Sequence, residues 1–135
     1  MAGKKKSKSP VRRFRDVFQE EYLIGNVESR KGRFISEDLY GWGDLLLLPL
    51  DGGAPLILAQ ITSQSNRASR RARMVGPCLA NLELWLADSS SRAAWLATTG
   101  AKVWGQDSRP VIRVTDFRLC PETGAIIETD QWYDG

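Results

Sequence analysis

The chain of 135 residues contains no histidine, and that absence excludes more chemistry than any other feature. Ser-His-Asp and Cys-His nucleophile systems, His-ligated zinc and imidazole general bases all need the missing side chain. Any catalysis must rest on carboxylates, amides, hydroxyls, Lys or Arg, with a hard oxygen-ligated ion such as Mg²⁺ as the natural helper. Cysteine is scarce as well, and Cys78 and Cys120 lack CxxC or Cys/His spacing. One optional pair is no disulfide scaffold, so both read as small core residues and a reducing cytoplasm is the expected compartment. The longest apolar run, Leu45 to Leu48 with Leu50, is broken by Pro49. It falls far short of the roughly 18 residues that span a bilayer, so no membrane partner is expected. No apolar h-region of about 7–15 residues follows the basic N-terminus, so no secretory signal is expected.

What is present is an uneven charge. Seven of the 19 Lys+Arg (Lys4, Lys5, Lys6, Lys8, Arg12, Arg13 and Arg15) lie within residues 1–15, which hold none of the 16 Asp+Glu. That segment carries +7 and the remainder −4. A basic arm of this kind neutralises nucleic-acid phosphates or serves as a solvated tail.

Residues 1–10 read as a disordered basic arm, with Pro10 opening a helix capped by Ser9. Val11, Phe14, Phe18 and Tyr22 then repeat at helical spacing, which predicts an amphipathic helix to about Gly25. Residues 26–43 read as irregular or weakly extended. Asp44 to Leu50 does not alternate and reads as a strand buried on both faces, joined through Asp51-Gly52-Gly53 to a second strand over 56–62. A helix follows with Ser65 or Asn66 as N-cap. On it Arg67, Arg70 and Arg71 share an arc of about 100°, with Arg73 beside Arg70, so all four guanidinium groups are expected to flank one surface. Pro77 restarts a helix through Leu79, Leu82, Trp85 and Leu86. A further helix is predicted over 92–98, with Gly100 as its C-cap. Strands follow at 101–104 and 110–119, and residues 121–135 read as an acidic extension with a small hairpin around Glu122-Thr-Gly124. The order predicts a single α/β domain over 11–120, a central mixed sheet flanked by helices.

If the two apolar strands form a hairpin, Asp44 at the start of one and Gln60/Thr62 at the end of the next share one end of the sheet. Period-two alternation sends Gln60 and Thr62 to one face. A carboxylate, an amide oxygen and the Ile61 carbonyl can hold a hydrated Mg²⁺, with Asp38 as a further ligand or an orienting group.

These residues carry a family resemblance. An acidic residue at the mouth of one strand and a polar pair two residues apart on the next resembles the PD-(D/E)XK nuclease superfamily, which has the restriction-endonuclease-like fold and includes Holliday-junction resolvases. More narrowly, Asp38-Leu-Tyr-Gly-Trp-Gly-Asp44, the Gln60-Ile-Thr-Ser-Gln-Ser-Asn66 run with its Arg-containing helix, and Gly100-Ala-Lys-Val-Trp-Gly105 look like small bacterial and phage proteins of that superfamily. The resemblance implies Mg²⁺- or Mn²⁺-dependent phosphodiester hydrolysis on nucleic acid, DNA in the first instance. It also allows a homodimer. It makes Asp44 the metal-binding Asp and sets Gln60 and Thr62 at the acid and lysine positions of the D/E-x-K element. Gln lowers the site's charge, and loss of the lysine removes a group that stabilises the developing phosphorane charge. Arg70 or Arg71 is the candidate replacement, as a cation that cannot act as base.

Each feature has a plainer reading. Asp44 can cap the Gly41-Trp42-Gly43 turn, Asp38 can be a turn residue, Gln60 and Thr62 suit a half-exposed strand, and the arginines can form a solvated face. Trp42, Trp85, Trp95 and Trp104 read as core, with Trp42 a candidate to stack on a base. Three expectations remain open: an active nuclease with Asp44, Gln60, Thr62, Arg70 and Arg71 at its centre; a pseudonuclease that binds nucleic acid through Lys4, Lys5, Lys6, Lys8, Arg12, Arg13, Arg67, Arg73 and Trp42 without cleaving it; or an accessory subunit docking on an acidic protein.

Overall fold

The structure is a computed structural model that describes residues 9–27, 29–30, 36–101 and 111–134. The side chains of Lys4, Lys5, Lys6 and Lys8, and the expected strand residues 102–104 with Trp104, lie outside the described residues.

Helix α1 (Pro10–Phe18) opens as the sequence predicts: Ser9 accepts the Arg12 backbone N–H at 3.2 Å and Pro10 occupies the first turn. It ends seven residues earlier than expected. Tyr22 keeps the helical spacing and packs on Phe18, with ring centroids 6.3 Å apart, but it does so from strand β1 (Tyr22–Asn26). Two short strands, β2 (Ser29–Arg30) and β3 (Ser36–Glu37), pair antiparallel. The expected hairpin is present as β4 (Leu45–Pro49) and β5 (Leu56–Ser63), with Leu45 opposite Ala59. A 3₁₀ turn leads into α2 (Arg67–Val75) and then α3 (Leu79–Leu86).

The segment expected as a helix over 92–98 is instead β6 (Arg92–Ala101), parallel to β5. Gly100, φ +76°, lies at an irregularity within this strand rather than capping a helix. Parallel neighbours need a crossover, which α2 and α3 provide. Strands β7 (Val111–Leu119) and β8 (Ile126–Asp134) pair antiparallel over nine residues. The C-terminal segment is therefore an edge strand of the domain and not an extension from it. The sheet order is β1-β4-β5-β6-β7-β8, and the domain is a six-stranded mixed sheet with helices on both faces.

Alternation along β5 separates two cores. Ile57, Ala59 and Ile61 share a core with Phe14 and Phe18 of α1 and Trp95 of β6. Leu58 meets α2 and α3 through Met74, Leu82, Trp85 and Leu86. Trp42 belongs to this second core at 0% exposure, which removes it as a base-stacking platform. Neither cysteine is fully buried, contrary to the expected core role. Among the described residues no helix is long and apolar enough to cross a membrane.

Candidate functional site at the Asp44 end of the sheet

Asp44 sits one residue before β4, held by its backbone from two sides. Its N–H donates to the Ala59 carbonyl at 2.8 Å, and its carbonyl accepts the Val27 N–H at 3.1 Å. The preceding turn is built tightly. Tyr40 and Gly41 both take positive φ, +57° and +84°, and Leu39 and Gly43 exchange backbone hydrogen bonds. A left-handed tyrosine costs about 1–2 kcal/mol, offset here by the burial of Trp42. Gly43 is required by contact, since a Cβ there would overlap the Leu58 side chain.

With its backbone fixed, the Asp44 carboxylate reaches the next strand. Oδ2 accepts the Ile61 N–H at 2.9 Å and the Gln60 amide Nε2 at 2.5 Å. Gln60 Nε2 also donates to the Ile61 carbonyl at 3.3 Å. The Gln60 amide nitrogen thus lies between two oxygens that a hard cation would share. Gln60 is buried, and its Oε1 has no partner.

These groups face a groove of about 920 Å³. Arg70 and Arg73 of α2 line it, with Asp38, the first turn of α1, Cys78 just before α3 and Asn81 within it. Asp38 pairs with Arg73 at 3.5 Å. Arg70, half-buried, has no hydrogen-bond or ion-pair partner among the described residues. Cys78 and Asn81 carry no sequence signal for this site. Asn81 Nδ2 donates to the Tyr40 carbonyl at 3.0 Å and Cys78 Sγ lies 3.6 Å from the Gly41 carbonyl, so both brace the turn that presents Asp44.

The four arginines of α2 do not share one surface. Arg70 and Arg73 face the groove, whereas Arg67 donates to Thr115 Oγ1 at 3.0 Å and Arg71 forms a two-point pair with Glu128. That pair raises the Arg71 guanidinium's pKa and, through the same hydrogen bonds, holds Glu128 below the usual carboxylate range. Arg71 is therefore engaged on β8 and does not line the groove. Thr62 is 4% exposed and does not line it either. Arg12 pairs with Asp16 at 3.4 Å on the solvent side of α1, and Arg13 lies half-buried on the same helix.

Among the described residues no three His, Cys, Asp or Glu side chains gather as a metal cage. The oxygens at the groove floor still suit a hard cation: one carboxylate, one backbone carbonyl, and the unpartnered Gln60 Oε1, which rotation of the amide would exchange with Nε2. No family model, curated protein or solved structure matches the chain, so the reading of this site rests on its own residues.

Proposed function

We propose that the protein is a divergent, metal-dependent nuclease-like protein of the PD-(D/E)XK type, with a restriction-endonuclease-like domain that takes a nucleic-acid phosphodiester into the Asp44 groove. The observation that carries this reading is the meeting of Asp44 Oδ2 with the Gln60 side chain, at 2.5 Å, and the Ile61 backbone, at 2.9 Å. Residues 16 positions apart converge where the D/E-x-K pattern requires its acids to converge. The mixed sheet with helices on both faces supports the same assignment.

Each residue's role follows from its surroundings. Asp44, the Ile61 carbonyl and Gln60 through Oε1 would hold Mg²⁺ or Mn²⁺, with Asp38 reserved for Arg73. When bound, such an ion polarises a phosphoryl oxygen and acidifies a coordinated water. Arg70 is the guanidinium available to a phosphate, since Arg73 is paired with Asp38 and Arg71 with Glu128. It replaces the missing lysine only as a charge stabiliser, because arginine stays protonated. Thr62, buried beneath the groove, supports the sheet and takes no part in the chemistry.

A second reading, binding without hydrolysis, is favoured by the Gln60–Asp44 hydrogen bond itself. That bond satisfies the carboxylate without metal and must break before a cation can enter.

Cleavage of supercoiled plasmid and of a four-way junction in Mg²⁺ or Mn²⁺ tests the proposal. Nicking by the wild type that is lost in EDTA and in Asp44→Ala is the expected result. Salt-sensitive binding that ignores both metal and Asp44→Ala, with no cleavage, overturns hydrolysis and leaves the binding reading.

A further inference from the structure

A second cavity, of about 370 Å³, opens at the end of the sheet opposite Asp44. The strand register explains why it is there. Strands β6 and β7 pair only as far as Ala94 opposite Phe117, although β6 begins at Arg92 and β7 continues to Leu119. The strands on either side stay paired to their ends, β5 with β6 at Leu56 opposite Arg92 and β7 with β8 at Leu119 opposite Ile126. The sheet therefore parts along one seam. There the Ala93 carbonyl accepts the Trp85 indole N–H of α3 at 2.7 Å, where the β7 ladder no longer reaches.

The lining divides by chemistry. Leu86, Ala93 and Phe117, all buried, give it an apolar floor with half-buried Leu119. Its polar side chains are Ser89, Ser90, Arg92 and Arg118, and no Asp or Glu among the described residues lines it. These polar groups are within a ligand's reach, since both serines are exposed and the Arg118 side chain is 74% exposed. Two acids stand beside the cavity but outside its lining. Asp116 takes the Nε–H of Arg118 at 2.7 Å, which leaves the terminal nitrogens of that guanidinium for a ligand, and Asp88 accepts from Ser90 Oγ at 3.0 Å. The Arg92 guanidinium carbon lies 5.3 Å from the Trp85 ring centroid, a cation–π contact that braces it at the rim.

We propose that the seam between β6 and β7 is a binding site for a small organic monoanion, a carboxylate carried on an apolar body. Its carboxylate meets Arg92 and Arg118, and its body lies on Phe117 and Leu86. The volume falls within the roughly 300–1,000 Å³ of small-molecule sites, which pair a mostly apolar lining with a few convergent polar groups. A guanidinium fork matches a carboxylate in two-point geometry, and two such cations with no acid in the lining disfavour a cationic ligand. The apolar floor offers no partner to a sugar or a polyphosphate, whose buried oxygens would go unsatisfied. The site is independent of the nuclease reading, which concerns the other end of the same strands.

The test is a calorimetric titration of the full chain with octanoate, beside octanol, which keeps the body without the charge, and acetate, which keeps the charge without the body. Octanoate is expected to bind saturably at one site per chain. Octanol is expected to bind at least about tenfold more weakly, the worth of a hydrogen bond to a charged group, and acetate not at all. Arg118→Gln, at an exposed side chain, is expected to weaken octanoate about tenfold, and Ser89→Trp, which fills the cavity from an exposed position, to abolish its binding. In a ¹⁵N-labelled sample, octanoate is expected to shift the amide resonances of Ala93, Phe117 and Leu119. Arg70→Gln, in the Asp44 groove, is expected to leave octanoate affinity unchanged. Absence of saturable octanoate binding, equal affinity for octanol, or affinity unchanged in either Arg118→Gln or Ser89→Trp overturns the site, as do shifts confined to the Asp44 groove.

Discussion

The two faces of the sheet are built on different terms. The face under α1 is apolar at its centre: Phe14 and Phe18 lie with ring centroids 4.6 Å apart, and Trp95 and Tyr133 close around Phe18 at 5.6 Å and 4.9 Å. The face under α2 and α3 starts apolar at Leu58 and Trp85, then turns polar. Gln60, Thr62, Thr98 and Thr115, four of the five buried polar side chains, alternate onto it. A single strand, β5, serves both, with Ile57, Ala59 and Ile61 on one side and Leu58, Gln60 and Thr62 on the other. Hydrophobic burial stabilises the first face directly, whereas the second keeps polar groups whose desolvation must be offset by partners. The apolar core under α1 and most of the buried polar side chains are thereby separated by the thickness of one strand.

The sharpest way to break this comparison is to substitute across it. Phe14→Ala, at a site with 0% exposure, is expected to lower unfolding free energy by about 3–5 kcal/mol. Gln60→Leu, at 2% exposure, is expected to lower it by about 1–2 kcal/mol, because loss of the amide's hydrogen bond to Asp44 is partly offset by removal of its unpartnered oxygen. Urea unfolding of both proteins reads the difference, and equal losses would dissolve the distinction between the faces.

A smaller effect sharpens the comparison through pH. Arg71 holds Glu128 below its ordinary value, against the effect of burial. At Asp130 burial pushes upward, but hydrogen bonds from Arg113 and Thr115 outweigh it and the net direction is again down. A carboxyl whose folded pKa is depressed stabilises the fold above its unfolded pKa, near 4 for these groups, and loses that contribution as pH falls through the folded value. Urea midpoints are expected to fall below about pH 4. In Glu128→Gln the midpoint is expected to be lower at pH 7 and to fall less steeply with acid. An unchanged acid limb would remove Glu128 from the account of the polar face.

The sequence made the β4–β5 hairpin, the Ser9–Pro10 start of α1 and the convergence of Asp44 with Gln60 legible, because each is fixed locally by alternation, a cap or a turn. The errors arose where tertiary packing decides. Residues 92–98 are rich in alanine and read as helix, yet they form a central strand with helices packed on both faces, where small apolar residues fit and alternation is lost. Tyr22 continued the helical spacing of Phe14 and Phe18 by filling the same core from a strand. Strand β8 is exposed along most of its length, so it lacks the apolar pattern that would have announced it. The α2 arginines divide because 67 and 71 lie within about 40° of each other, and 70 and 73 within about 60°, the two pairs pointing about 110° apart. The helix was legible, but the partners on either side of it were not: Thr115 and Glu128 come from strands that the linear pattern does not bring next to α2.

The most direct test of the central claim is an electron paramagnetic resonance titration of Mn²⁺ with the wild type, Gln60→Glu and Asp44→Asn. If the Asp44 carboxylate, the Ile61 carbonyl and the Gln60 side chain form a cation site, the wild type binds one Mn²⁺. Gln60→Glu, which replaces an amide that donates to Asp44 with a second carboxylate, then binds it at least about tenfold more tightly, and Asp44→Asn loses it. Mn²⁺ affinity that is absent in the wild type and in Gln60→Glu, or that is indifferent to both substitutions, would contradict the account.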